Sequence, residues 1–154
     1  MAVTTFSSRA LAIIMLVLSV ASAVQGLGIN CRGSGMCTPF INGGATGNEA
    51  KVLSDWIQGI EAEGYKPPQI QANRIYKTGE QIACYERSHI CAFLQNTGDK
   101  GGSGADVRRL APLIPKHGCK ICGSVPTHYP DSNNVKDGQL TFNYVTKICG
   151  NGIC

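Results

Sequence analysis

Eight cysteines constrain this chain more than any other feature: Cys31, Cys37, Cys84, Cys91, Cys119, Cys122, Cys149 and Cys154. All lie downstream of an apolar run, Leu11 to Val20, which follows Arg9 and precedes the small residues Ala21-Ser22-Ala23. That order reads as an export signal cleaved after Ala23 or Gly26, and its apolar core is too short to span a bilayer, which takes about 20 residues. The expected division is a signal peptide at 1–26 and one domain at 27–154, a normal domain size. An exported chain meets an oxidising medium, so an even cysteine count reads as a disulfide framework. Spacing alone does not choose the pairs.

Hydrophobic periodicity fills in the rest. Thr46 and Glu49 form a capping-box pattern ahead of Val52, Leu53, Trp56, Ile57 and Ile60, which fall on one helical face; the expected helix is 48–63 with Gly64 as its stop. Trp56 reads as core packing. A hairpin is expected from 81–86 and 89–95, with an extended piece at 70–76 before it. Ser103 and Asp106 repeat the capping pattern ahead of Val107, Leu110, Ala111 and Ile114, and Pro112 and Pro115 should stop or kink that helix near Ala111. Leu140, Phe142 and Tyr144 alternate with polar neighbours as a last strand. Helix, two strands, helix and strand predict an α+β fold: a two-layer α/β sandwich, mainly antiparallel, with two helices on one face and disulfide staples.

Charge excludes more than it identifies. The sequence holds 14 basic and 10 acidic residues; without Arg9 the net charge is +3 (14 − 1 − 10), too little for the basic stripe of a nucleic-acid binder. Cys119-X-X-Cys122 lacks the second ligand pair of a zinc site and the βαβ context of a redox motif, so no metal or cofactor is expected. His89, His117 and His128 join no nucleophile elbow or metalloprotease helix. A carboxylate pair such as Glu80 and Glu86 leaves a small secreted hydrolase as a third reading.

Three blocks carry a resemblance: residues 27–34, residues 117–124 with Pro126, and residues 138–145. Together they resemble the virus-encoded smut-fungus killer toxin family, which has relatives in other fungi and in mosses. The resemblance implies a secreted α/β sandwich that inhibits susceptible fungal cells by interfering with calcium uptake at a channel. It implies the pairs Cys31–Cys119, Cys37–Cys122 and Cys84–Cys149; Cys91 is then left for Cys154, an extension beyond the family pattern. The chain departs from the family where a lysine linked to activity precedes the cysteine matched to Cys84: that place is Ile82.

The reading is a non-enzymatic, extracellular, monomeric inhibitor that contacts a membrane protein of a target cell, a calcium channel, and binds no nucleic acid. Cations on a rigid surface would meet acidic groups of the channel mouth. The candidates are Arg74, Lys77 and Arg87, with Lys116 and Lys120 second. The alternative is a non-toxic secreted signalling or effector protein on the same scaffold.

Overall fold

The computed structural model describes residues 28–154. The expected signal peptide and its cleavage site lie outside the described residues. Helix α1 spans Glu49–Ile57 and buries Val52, Leu53, Trp56 and Ile57. Half of the expected capping box forms: the fully buried Glu49 carboxylate accepts from the Thr46 amide and hydroxyl and from the Gly47 and Asn48 amides, but the helix is capped from Asn48 without a side-chain bond and the Thr46 hydroxyl donates to the carboxylate instead of accepting from the helix. The carboxylate thus satisfies the turn that leads into the helix, and the helix's own Ala50 amide finds the Lys120 carbonyl.

The helix stops earlier than its periodicity predicts. Gly59 takes φ +78°, its amide donates to the Trp56 carbonyl, and the Ile60 amide reaches back to the Asp55 carbonyl. These two bonds make a Schellman stop, for which a left-handed glycine is favoured. Gly59, not Gly64, ends the helix, and Ile60 is exposed rather than part of the apolar face.

Five strands form the main sheet in the order β5-β6-β3-β2-β7, every neighbour antiparallel. The expected hairpin is β2 (Gln81–Tyr85) and β3 (Ile90–Gln95), and the last expected strand is β6 (Gln139–Tyr144). β5 (Gly123–Pro126) and β7 (Gly152–Ile153) are the edges, and a small second sheet pairs β1 (Ile75–Tyr76) with β4 (Gly102–Ser103). Pro126 is tolerated because it ends an edge strand. The free side of β5 is partly closed by Asn30, which exchanges two backbone hydrogen bonds with Ser124.

The second helix begins with the Asp106 amide donating to the Ser103 hydroxyl at 3.1 Å. It runs as α2 (Gly104–Leu110) and resumes after Pro112 as α3 (Leu113–Lys116). Val107, Leu110, Ala111 and Ile114 are all fully buried, so the apolar face crosses the proline break uninterrupted. Helices and sheet share one core in which Trp56 meets Tyr65 and Tyr85 edge-on or tilted, at 5.2 and 5.7 Å between ring centres. The indole N–H donates to the Ala62 carbonyl, so Trp56 is a packing residue with its one polar atom satisfied.

Candidate target-contact surface

Two bridges fasten the N-terminal segment to the start of β5. Cys31 bonds to Cys119 and Cys37 to Cys122, across sequence separations of 88 and 85. The approach is close enough that a Cβ on Gly33 would sit 2.2 Å from the Cys37 sulfur and 2.8 Å from the Cys122 Cβ. Only glycine fits there. Asn143, on β6, ties the same segment down by accepting from the Ser34 amide at 3.0 Å.

The other four cysteines correct the expected pairing. Cys84 bonds to Cys91 and Cys149 to Cys154, in place of Cys84–Cys149 and Cys91–Cys154. The reason is register: Cys84 and Cys91 face each other directly across β2 and β3, with Cα atoms 4.1 Å apart, so each is the other's nearest thiol on that face. The fold still gathers the expected neighbours, since the Cys84, Cys149 and Cys154 sulfurs all lie within 4.8 Å of one another.

The sheet register also sorts the five candidate cations. Tyr85, Ile90, Tyr144 and Gly123 stand at one end of the sheet; Gln81, Gln95, Gln139 and Pro126 stand at the other. Arg87 in the β2–β3 turn and Lys120 just before β5 belong to the first end, with Lys116 close by at the end of α3; all three are exposed. Arg74 and Lys77 precede β2 at the opposite end. The five do not form one patch.

Arg74 is already occupied. Its guanidinium bonds to Glu80 at 2.9 Å, approaches the Cys154 carbonyl at 3.3 Å and lies 4.4 Å over the Tyr76 ring centre. It therefore serves as a brace between β1 and the C-terminus. Among the described residues, Lys77, Arg87, Lys116 and Lys120 take part in no ion pair.

The Lys77 amide, donating at 2.8 Å, and then the Arg74 guanidinium hold the Glu80 carboxyl below its ordinary range. A depressed carboxyl stabilises the fold above its unfolded value, about 4.3, and that contribution disappears as pH falls through the lower folded value. The pair is partly exposed, so the effect stays below about 1 kcal/mol. Glu80→Gln is expected to melt slightly below the parent at neutral pH, with the gap closing under acid; a gap independent of pH would contradict this.

Glu80 and Glu86 flank β2 at its two ends, so the fold does not assemble them as a carboxylate pair. His89 is half-buried and stacks on Tyr144 at 6.0 Å, while His117 and His128 are exposed. Ile82, where the family pattern has a lysine, is fully buried in the core. Sequence reasoning overlooked Phe40 and Ile41, which the structure leaves exposed. It also overlooked a groove of about 590 Å³, of mixed polar and apolar lining, between the 97–102 loop, the start of α2 and the 127–131 loop. No candidate cation lines that groove.

A family model described as Kp4 matches residues 14–146, most of the chain. The chain belongs to the Kp4 family. The KP4 killer toxin of Ustilago maydis P4 virus is 34% identical over 122 residues, which is 79% of this chain and 83% of that protein. As a Kp4 member this is a killer-toxin-like protein on a disulfide-stapled α+β scaffold, the architecture expected above.

Proposed function

We propose that the protein is secreted and inhibits the growth of susceptible fungal cells by blocking calcium entry, binding a channel from outside and performing no chemistry. The observation that supports this best is the Kp4 match across most of the chain. The cross-tied end of the sheet adds a physical basis. Two long-range disulfides fix the segment beside Lys120 and Arg87, and a prearranged surface loses little freedom on binding.

Contact runs through Arg87 and Lys120, with Lys116 beside them, against acidic groups at a channel mouth. Lys77 lies at the far end of the sheet and Arg74 is held by Glu80, so both contribute less. Attraction between exposed charges is screened over about 8 Å at physiological ionic strength, so inhibition weakens as salt rises.

The test adds the purified, oxidised protein to fungal cultures with and without excess calcium. Inhibition at micromolar dose, relieved by calcium and reduced in Arg87→Ala/Lys120→Ala, is the expected result. No inhibition, or inhibition indifferent to calcium, defeats the proposal.

A further inference from the structure

Phe40 is completely exposed and its neighbour Ile41 is 62% exposed. They form the tip of a short turn in which the Ile41 and Asn42 amides both donate to the Thr38 carbonyl. This tip is firmly mounted. On one side Cys37 is bonded to Cys122. On the other, the buried Asn42 side chain donates to the Ser88 carbonyl at 2.7 Å, and a Cβ on Gly44 would lie 1.7 Å from the Arg87 carbonyl oxygen. An aromatic ring and a branched aliphatic chain are thus held in water by covalent and hydrogen-bonded supports, against the usual gain from burial.

The elements that hold the tip suggest its partner. Arg87 lies in the turn on which the loop is docked, and Arg32 and Lys120 adjoin the neighbouring Cys31–Cys119 bridge; all three are exposed. The exposed acids Glu86 and Glu63 share a shallow pocket with Arg87, whereas the Glu49 carboxylate is fully buried. A protruding apolar knob on a scaffold with more exposed cations than acids close in the fold has little need of a deep pocket. It suits a bilayer interface, where aromatic side chains settle at headgroup depth and basic side chains meet anionic lipid.

We propose that the Phe40–Ile41 turn is a lipid-interface anchor that dips into an anionic bilayer, with Arg87, Lys120 and Arg32 meeting headgroups on first contact, before any channel is engaged. Two side chains give reversible attachment, not insertion. The anchor would concentrate the protein at a cell surface and orient the cross-tied end toward the membrane. It does not rest on the calcium reading, because its test contains no channel.

The oxidised chain is floated with vesicles of phosphatidylcholine alone and of phosphatidylcholine with phosphatidylserine. Binding is expected with phosphatidylserine, falling about tenfold or more in Phe40→Ser, which removes most of the buried apolar area. Phe40 touches nothing that holds the fold, so this variant should keep the parent's melting temperature. Phe40→Trp should bind like the parent, and its emission should shift to the blue on those vesicles. Failure of the parent to bind either vesicle, or equal binding by Phe40→Ser, overturns the anchor. If Phe40→Ser lost growth inhibition while no form bound vesicles, the tip would belong to a protein pocket, which also overturns it.

Discussion

Replacing Cys31, Cys37, Cys119 and Cys122 together by serine, so that both long bridges are lost, is expected to lower the stability of the folded chain by at least about 4 to 5 kcal/mol. The two bridges span 88 and 85 residues and close nearly the same loop, so either one alone preserves most of the restriction on the unfolded chain, and only the loss of both releases it. The Cys149–Cys154 bridge spans 5, and the same relation gives only about 2 kcal/mol. For a domain of this size the fourfold substitution should drop the melting temperature on the order of 10 to 20 °C, loss of the short bridge about half as far. Thermal and denaturant melts of the two oxidised variants measure the contrast, and equal losses would sink the loop-length explanation. The larger loss carries a functional consequence, since the long bridges also hold the segment that carries Arg32 and Phe40 beside Lys120. Growth inhibition should fall with the long bridges and largely survive loss of the short one.

How much of this was legible in the sequence depended on whether the governing signal was local. Thr46 and Glu49 announced a helix start because a capping box is a four-residue device, and Leu140 and Phe142 announced a strand because alternation needs only its own neighbours. The helix end was misread because two glycines competed: Gly64 closes the periodic stretch, but Gly59 provides the left-handed turn that the Asp55 and Trp56 carbonyls accept. β5 was hidden by Pro126 and by its shortness, since an edge strand is created by the partner it lies beside. The Cys84–Cys91 bridge was decided by strand register, a property of two segments at once. So was the division of the cations, which the chain order of Arg74, Lys77 and Arg87 does not reveal: β2 runs between them and carries them to opposite ends of the sheet. Phe40 escaped notice because exposure is a fact about the whole fold. In sequence it is one apolar residue in a proline- and glycine-rich loop.

Ile82→Lys should restore the family's residue type and damage the protein. The side chain is fully buried within the core, where an ammonium group loses most of its hydration. A lysine there must either carry its charge in a medium that solvates it poorly or give up its proton, and buried lysines resolve this by a large downward shift in pKa. The expected loss at neutral pH is about 4 kcal/mol, among the larger effects a single substitution produces. Its pH dependence is a specific signature. With the folded value depressed below the unfolded value of about 10.4, the unfolded chain binds the extra proton across that window. Stability therefore recovers as pH rises toward 10.4 and the penalty stays full below the folded value. Ile82→Met, which keeps volume and apolarity, should lose less than about 1.5 kcal/mol. Arg87→Ala should leave stability nearly unchanged while reducing inhibition, the reverse of the Ile82→Lys pattern. Melting curves of the three variants at neutral and alkaline pH separate these roles. An Ile82→Lys protein as stable as the parent, with stronger inhibition, would place position 82 on the contact surface and move the active cations to the β2 face.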